Sequence, residues 1–314
     1  MININNISGA LNLNKPSGCS SHDMVYFARR LFGIKKIGHT GTLDPMATGV
    51  LPVLVGSATK LSDLLAGHDK IYRAVLKLGV STDTMDITGE IIKSAGDNIL
   101  LPCFDAVKEA AESFIGEISQ IPPVYSAIKV KGRKLYEYAR EGIDIKPEPR
   151  KVNIYSVTCG KAQNFGEYIL NISCSKGTYI RSLCNDIGEK LGCGGVMAAL
   201  ERTRTGDFDI SGSFSPETLE QYKKERGEEY IKSLLVSCED ILKSVTDKKI
   251  SLGEFYSKLA KNGAEIYLHK INYNGGNFSA GDKVLMYDNN NNLFALGEIR
   301  EYPDGNACKA AIFV

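Results

Sequence analysis

The segment from Ile71 to Leu78 has the two-residue period of a β-strand. Four apolar side chains would lie on one face and two cations on the other, a pattern typical of a strand that is buried on one side. The apolar face consists of Tyr72, Ala74, Leu76 and Leu78, and the opposite face carries Arg73 and Lys77. The rest of the chain alternates strand-like and helical segments without an internal repeat, so the sequence predicts a protein of helices and sheet.

Helical period and capping residues predict four helices, and short apolar runs predict two more strands. The first helix begins after Ser20 or Ser21, and the second runs from Phe104 to Ile115 and ends before Gly116. The third carries Leu183, Ile187 and Leu191 and ends before Gly192, and the fourth begins at Ser215-Pro216-Glu217. The two strands are Val152–Val157 and Tyr168–Ile172. After about Lys249 short strand-like runs alternate with turns rich in Gly, Asn and Asp. We therefore predict a larger domain over residues 1–250 and a small β-rich domain over residues 251–314.

Composition excludes several classes of protein. The 314 residues are 43% hydrophobic and 24% charged, which is typical of a globular protein rather than a disordered or fibrous chain. The longest charge-free apolar stretch, residues 50–59, is shorter than the roughly 20 residues of a membrane span, and residues 1–14 lack the pattern of a signal peptide. The eight cysteines form no C-x-x-C pair, so we expect no zinc site and no disulfide framework, and reduced thiols in the cytoplasm fit best.

Positive charge is concentrated in two stretches although the net charge is only +1. Residues 15–73 contain eight Lys and Arg against four Asp and Glu, and residues 129–151 again contain eight against four. Such a segregated surplus can bind a polyanion through phosphate contacts. The alternative is a pair of solvated basic faces.

One carboxylate stands in an unusually turn-rich segment. Residues 38–49 read GHTGTLDPMATG, in which three glycines and Pro45 surround Asp44. This composition predicts a tight turn that presents Asp44 from a loop, because Pro45 favours an extended conformation at the residue before it. The alternative is an ordinary Asp-Pro turn. A phosphate-binding loop is excluded, since no G-x-x-x-x-G-K-[ST] motif occurs.

Two segments at strand ends each carry a residue of interest. Tyr72 lies on the apolar face of the predicted strand, where a core tyrosine is the alternative to a functional one. Arg181 stands at the start of the helix that ends at Gly192, where the helix dipole disfavours a cation. An arginine in that place needs a partner, and a carboxylate from elsewhere in the fold is the natural one.

Residues 120–151 predict a long loop that carries tyrosines among lysines and arginines. It is bounded by Pro122-Pro123 and Pro147, and we expect no packed core of its own. Interleaved aromatic and basic residues suit single-stranded or splayed nucleic acid, because the rings stack on bases and the cations meet phosphates. A solvated basic loop is the alternative.

Together these segments resemble the tRNA pseudouridine synthases that isomerise the T-loop uridine, position 55 of tRNA. The matching motifs are LNKP (13–16), GHTGTLDPMATG (38–49), DKIYRA (69–74), PPVYSAIK (122–129), KGTYIRSL (176–183) and LERTRTG (200–206). They lie in residues 11 to about 208, and they depart from the family at Thr42 and Met46, where alanine and leucine are common. The resemblance implies an α+β fold with a mixed, largely antiparallel central sheet flanked by helices. The C-terminal domain resembles the family's PUA-like domain only by position and β-rich character.

The resemblance also implies a role for each site residue. Asp44 would be the nucleophile, and Arg181 would keep it ionised. Tyr72 would stack on the target uracil, and the resemblance leaves open whether it also accepts the proton that leaves C5. Tyr179 and Leu200 would complete the pocket wall, and His39 would support flipping of the nucleotide out of its stack. The residues expected to contact RNA are Lys15, Lys70, Lys129, Lys131, Arg133, Lys134 and Arg140. The reaction is an isomerisation, so neither a cofactor nor a metal ion is expected.

Two other functions compete with this reading. One is an RNA-folding chaperone that binds and flips bases without turnover, although such a binder has no use for Asp44 in a pocket that accepts polyanionic RNA. The other is the guide-dependent branch of the same superfamily, which modifies ribosomal RNA within a larger complex. The long loop over residues 120–151 resembles the stand-alone bacterial type, so we expect a cytoplasmic monomer that acts on the T-arm of tRNA without a protein partner or a membrane.

Overall fold

The computed structural model describes residues 7–94, 100–130, 132–143, 145, 147–271 and 277–314. Within these ranges the chain forms strands and α-helices in a mixed order. The strands are β1 (Gly9–Lys15), β2 (Ile37–His39), β3 (Thr48–Val55), β4 (Lys70–Leu78), β5 (Val80–Thr82), β6 (Ile91–Ser94), β7 (Gly116–Gln120), β8 (Lys129–Val130), β9 (Arg133–Lys134), β10 (Arg150–Lys161), β11 (Glu167–Cys174), β12 (Gly195–Thr205), β13 (Phe208–Asp209), β14 (Lys249–Ser251), β15 (Ile266–Tyr267), β16 (Lys283–Tyr287), β17 (Leu293–Tyr302) and β18 (Gly305–Phe313). The α-helices are α1 (Ser21–Phe32), α2 (Ser62–Ala66), α3 (Phe104–Glu112), α4 (Leu135–Arg140), α5 (Ile180–Lys190), α6 (Pro216–Ser233), α7 (Cys238–Lys243) and α8 (Glu254–Lys261). None of the helices in the described ranges is long and apolar enough to cross a membrane.

The main sheet has the strand order β1-β3-β12-β4-β11-β10-β7, with β2 beside β3 and β13 beside β12. Its neighbouring strands run antiparallel, apart from β3 and β12, which are parallel. This arrangement confirms the expected mixed, largely antiparallel sheet. The strand predicted over residues 71–78 is β4, which lies between β12 and β11 with the predicted apolar side chains buried.

The parallel contact between β3 and β12 joins two distant parts of the chain. Glu201 lies opposite Thr48, and Arg202 lies opposite Gly49. Gly49 has a φ of 102°, a conformation that favours glycine, and a Cβ atom there would collide with the backbone of Arg202. Glycine at this position therefore lets the two strands approach closely just after the turn that carries Asp44.

Helices cover one face of the main sheet. Side chains of α1, α3, α5 and α6 pack there with the inward residues of β1, β3, β4 and β11 in one apolar core. On the opposite face, Val50 and Leu54 of β3 contact a second apolar cluster, to which Leu285 and Leu296 of the C-terminal strands also belong. The C-terminal part is thereby packed, together with α2 and α7, against the face of β3 opposite to α1, α3, α5 and α6.

The helices confirm the capping signals of the sequence, with shifts at some ends. Ser20 caps α1 and accepts a hydrogen bond from the Asp23 amide at 3.1 Å, and Ser215 caps α6 in the same way. Helix α3 ends at Glu112, before the predicted end at Ile115, because the chain turns over three residues into β7 at Gly116, which has a φ of 111°. Strands β10 and β11 extend beyond their predicted ends, since their pairing with each other continues past the apolar runs.

The C-terminal strands form a separate sheet of order β14-β16-β17-β18-β15. Strand β14 spans Lys249–Ser251, so the predicted boundary at 250/251 falls inside the first strand of this sheet. The division of the chain into domains of residues 1–250 and 251–314 stays a prediction with that adjustment.

The segment over residues 120–151 is more structured than the predicted loop. It contains a two-stranded hairpin, β8–β9, followed by α4, and Leu135 is buried at 1% exposure. The hairpin turns at Gly132, whose φ of 85° favours glycine. The expectation of a loop without a packed core is therefore wrong, because two-residue strands and a six-residue helix give too short a pattern to be recognised in sequence.

Candidate active site

Asp44 projects from a turn whose neighbours are fixed. The turn connects β2 to β3 and is closed by a hydrogen bond from the Ala47 amide to the Asp44 carbonyl at 3.0 Å. Leu43 is buried, and its amide and carbonyl both bond to the Ser21 hydroxyl at the start of α1, at 2.8 and 3.1 Å. The carboxylate itself is 32% exposed, so the turn offers it to solvent from a rigid base.

Arg181 meets this carboxylate side-on. Its Nε lies 2.9 Å from Asp44 Oδ2 and its Nη2 lies 3.1 Å from Oδ1, which is a bidentate ion pair. The arginine side chain is only 5% exposed. The partner inferred from the position of Arg181 at the helix start is thus Asp44, 137 residues away in sequence.

The remaining donors of Arg181 are also occupied. Nη1 donates to the Thr84 carbonyl at 3.2 Å, and Nη2 donates to the Tyr125 carbonyl at 3.0 Å. Asp86 Oδ2 lies 3.8 Å from Nη1. The guanidinium is therefore held in a fixed plane by Asp44, a second carboxylate and two backbone carbonyls.

Asp86 was missed in the sequence analysis. It is buried, and one of its carboxylate oxygens accepts hydrogen bonds from the Thr84 hydroxyl and the Thr88 amide, both at 2.9 Å, and from the Thr88 hydroxyl. The signal that could have found it is the run TDTMDITG over residues 82–89, where threonines flank a carboxylate directly after a strand.

Arg202 lies under the turn and was also missed as a site residue. It is among the largest fully buried side chains, and its Nε donates to the Val50 carbonyl at 2.7 Å. Its Nη2 donates to the Gly41 carbonyl at 3.1 Å. Arg202 thereby ties the turn to β3 from below, and its presence in the LERTRTG motif was the available signal.

Lys15 corrects one of the predicted RNA contacts. It is 0% exposed, and its Nζ donates to the carbonyls of Pro16, Cys19 and Pro45 at 2.9, 2.8 and 3.1 Å. An ammonium group that is buried and bonded to three carbonyls has no donor left for a phosphate. Lys15 fixes the far end of the Asp44 turn, and it is withdrawn as an RNA contact.

Lys70 corrects a second one for the same reason. Its side chain is buried, and its Nζ donates to the Ala66 carbonyl at 2.8 Å and to the His68 carbonyl. Burial lowers the pKa of Lys70 to about 8. A count of charges in sequence carries no information about burial, which is why both lysines were assigned to the surface.

Tyr72 and Leu200 lie on neighbouring strands of the sheet. Tyr72 is paired with Arg202 across β4 and β12, Leu200 is paired with Ala74, and both Tyr72 and Leu200 are buried at 8% exposure. Burial raises the pKa of Tyr72, and the nearby Arg202 opposes this only in part. The phenol is therefore protonated at neutral pH.

Tyr179 and His39 are placed by backbone contacts. Tyr179 precedes α5, and its amide and carbonyl bond to the Gln120 side chain at 2.8 and 3.0 Å. His39 ends β2, and its Nδ1 accepts a hydrogen bond from the Gly41 amide at 3.2 Å. Burial, with a contribution from Arg202, lowers the pKa of His39, so its imidazole is neutral at pH 7.

The other predicted RNA contacts lie on the segment over residues 120–151. Lys129 is exposed, and Lys131 lies outside the described residues. Arg133 pairs with Glu141 and lies over the Tyr138 ring, 4.8 Å from its centroid. Lys134 and Arg140 lie over the Tyr136 ring at 5.4 and 5.3 Å. These cations are on the surface, and their contact with RNA stays a prediction.

The described part of the chain contains no group of three or more His, Cys, Asp or Glu side chains that could hold a metal ion. The site consists of the bidentate ion pair of Asp44 with Arg181 on a fixed turn, together with Tyr72, Tyr179 and Leu200 on β4, at the start of α5 and on β12. A carboxylate that is partly exposed and held by a buried arginine can act as a nucleophile.

Residues 29–180 match the TruB family pseudouridylate synthase N-terminal domain, and residues 181–243 match the tRNA pseudouridylate synthase B C-terminal domain. The chain is 45% identical over 260 residues to tRNA pseudouridine synthase B of Clostridium tetani, covering 83% of this chain and 86% of that protein. It is 40% identical over 292 residues to the protein of the same name from Clostridium perfringens strain 13, covering 93% and 95%.

Solved structures show the same fold. A chain in a Cbf5-Nop10-Gar1 complex aligns with a TM-score of 0.70 and 26% identity, covering 97% of this chain and 84% of that one. A chain in an H/ACA RNP bound to a substrate RNA containing 2'-deoxyuridine aligns with a TM-score of 0.69 and 25% identity, over the same shares of both chains.

Proposed function

This chain belongs to the TruB family of pseudouridylate synthases, and from that premise we propose that it converts uridine 55 in the T-loop of tRNA to pseudouridine with Asp44 as nucleophile. It is a tRNA pseudouridine synthase and hence an isomerase. The observation that carries the assignment of Asp44 is the bidentate ion pair with Arg181 on a turn that is fixed at both ends.

The reaction requires an ionised carboxylate beside the target nucleotide. The C–N glycosidic bond breaks, the uracil rotates, and a C–C bond forms between C5 of the base and C1′ of the ribose. The carboxylate can attack either C6 of uracil or C1′ of ribose, and each attack needs a free electron pair on Asp44. Arg181 supplies a buried positive charge that pairs with both oxygens of Asp44, while the exposed third of the Asp44 side chain leaves the carboxylate accessible.

Tyr72 serves as a stacking platform in this proposal and not as the base. The proton that leaves C5 in the last step needs an acceptor, but a phenol with a raised pKa is a weak one at neutral pH. Tyr72, Tyr179 and Leu200 would enclose the uracil ring. Neutral His39 ends β2, at the start of the connection that carries Asp44, and would support the displaced nucleotide.

Two observations bear on the competing functions. The ion pair of Asp44 with Arg181 supports turnover, because a protein that only binds RNA gains nothing from a carboxylate in the pocket. The chains from the two solved complexes are 25–26% identical to this chain, whereas the curated tRNA synthases are 40–49% identical, which supports the tRNA enzyme over the guide-dependent alternative. We therefore propose a cytoplasmic enzyme that acts as a monomer without a protein partner.

Incubation with a tRNA transcript that lacks modifications tests the function. Carbodiimide-blocked reverse transcription should show one new stop that reports pseudouridine at position 55. A transcript with cytidine at that position is the control and should show none. Binding without any new stop would support the chaperone, and modification that requires an added guide RNA would support the guide-dependent reading.

Replacing Asp86 with Asn is expected to lower kcat about threefold to tenfold with little change in KM, the effect of about 1 kcal/mol. Asparagine fills the same space but removes the negative charge that lies 3.8 Å from Arg181 Nη1. Single-turnover rates at saturating tRNA measure this, with Asp207→Asn as a control on an exposed acid. A rate equal to that of the control would show that Asp86 does not position Arg181.

Replacing Lys131, Arg133 and Lys134 together with Ala should weaken tRNA binding and flatten its salt dependence by about two to three units of slope. The segment over residues 120–151 would hold the T-arm through these cations, and none of the described ones reaches Asp44. Filter binding at several salt concentrations measures the slope. Normal binding with slow turnover at saturating tRNA would instead make this segment part of the catalytic machinery.

A further inference from the structure

The outer side of α1 and the turn after it form a basic surface, called the α1 face below. Its residues are exposed or half-buried, while the other side of the helix packs into the core. The α1 face consists of His22, Tyr26, Arg29, Arg30, Lys35 and Lys36. None of these residues has a role in the proposed catalysis.

The positive charge of the α1 face is not neutralised. Residues 22–36 contain four Lys and Arg and one acid, Asp23, whose carboxylate is occupied by the Ser20 amide and hydroxyl at 2.8 and 2.7 Å. Within the described ranges none of the four cations forms an ion pair. By contrast, Arg133 and Lys151 of the segment over residues 120–151 pair with glutamates. An unpaired cluster of cations is complementary to a polyanion.

An aromatic ring stands in the middle of this charge. Tyr26 is 53% exposed, although a large aromatic side chain is usually buried. The His22 ring meets it edge-on at 4.7 Å between centroids, and the Arg29 guanidinium lies 5.3 Å from the ring centroid. These neighbours hold the ring in place while leaving more than half of the side chain open. A fixed, exposed ring flanked by cations is the arrangement on which an unstacked base binds.

The α1 face begins at the catalytic turn. Ser21, the first residue of α1, holds Leu43 by two hydrogen bonds, next to Asp44. A helix of 12 residues extends about 18 Å from that point. After the turn at Lys35 and Lys36, β2 returns the chain to His39. A strand of RNA whose nucleotide is held at Asp44 can therefore continue along this face.

We propose that the α1 face is a second RNA-binding surface, on which Tyr26 stacks with a base next to the flipped uridine and the cations bind the adjoining phosphates. The inference rests on the proposed function, since it extends the same bound tRNA beyond the pocket. The α1 face would thus contact the tRNA at a different place from the segment over residues 120–151.

The charge of the α1 face is tested by the triple variant Arg30→Gln, Lys35→Gln and Lys36→Gln. Equilibrium binding of unmodified tRNA is measured on an Asp44→Asn background, so that no product forms. At about 0.1 M salt the triple variant should bind at least tenfold more weakly, with a salt slope about two units flatter. The control is Lys108→Gln, Lys190→Gln and Lys224→Gln, three exposed lysines on α3, α5 and α6, and it should bind like the parent.

Tyr26 is tested separately. Tyr26→Ala should weaken binding by about fivefold or more, whereas Tyr26→Phe keeps the ring and should stay within about twofold of the parent. With Asp44 restored, the single-turnover rate at subsaturating tRNA should fall in proportion to the loss of affinity in each α1 variant. Far-ultraviolet circular dichroism shows whether each variant is folded.

Failure of this inference is distinguishable from failure of the proposed function. If the triple variant binds no more weakly than the control, or if Tyr26→Phe loses as much as Tyr26→Ala, the α1 face is not the proposed surface. If wild type forms no pseudouridine on tRNA while the α1 variants still lose RNA affinity, the proposed function is wrong and the RNA-binding surface stands.

Discussion

Asp44→Asn is expected to lower pseudouridine formation at least about a thousandfold while leaving tRNA affinity within about threefold. The amide is nearly isosteric with the carboxylate and can keep one hydrogen bond to Arg181, but it is neutral and the electron pair of its nitrogen is delocalised into the carbonyl group, so it is a poor nucleophile. Single-turnover kinetics with excess enzyme measure the chemical step, and equilibrium binding measures the affinity.

Two controls accompany this variant. Asp63→Asn removes an exposed carboxylate on α2 and should leave the rate unchanged. Asp44→Glu keeps the charge but moves it by about 1 Å, which should cost on the order of a hundredfold in rate. Substantial turnover by Asp44→Asn would contradict the role of Asp44 as nucleophile and return the assignment to another group.

Arg181→Ala should lose at least about 2–3 kcal/mol of transition-state stabilisation, a rate decrease of about 30-fold to 150-fold. The variant leaves the Asp44 carboxylate without its cation and the carbonyls of Thr84 and Tyr125 without their donor. The loss of a buried donor also lowers the free energy of unfolding, so thermal unfolding is measured beside the rate.

Arg181→Lys separates charge from geometry. A lysine keeps the positive charge, but its single ammonium group cannot bond side-on to both oxygens of Asp44. We expect a folded protein whose rate is still reduced about tenfold or more. A wild-type rate in either Arg181 variant would remove the ion pair from the mechanism.

Much of the fold can be predicted from local sequence patterns, because residues close together in sequence determine the buried face of a strand and the caps of a helix. Strand β4 and the cap at Ser20 are examples. The sequence near Arg181 also predicts that it pairs with a carboxylate, because a cation at a helix start is disfavoured by the helix dipole. The identity of that carboxylate came from the family resemblance.

The misassigned residues depend on distant parts of the chain. Lys15 and Lys70 bond to carbonyls of turns whose course only the folded chain fixes. The role of Asp86 depends on its contact with Arg181, 95 residues away, and the role of Arg202 depends on its hydrogen bond to the Gly41 carbonyl. Burial and contacts of this kind cannot be read from composition or period, so charged residues were assigned to the surface by default.

The close approach of Gly49 and Arg202 has a consequence for the order in which the enzyme becomes competent during synthesis. Asp44 leaves the ribosome early, but the strand that supports its turn from below, β12, is synthesised about 150 residues later. Until β12 pairs with β3 and β4, Arg202 cannot reach Gly41, and Arg181 has no rigid sheet from which to meet Asp44. Nascent chains shorter than residue 205 therefore lack the support that Arg202 gives to the turn, and we expect ribosome-bound fragments of that length to form no pseudouridine.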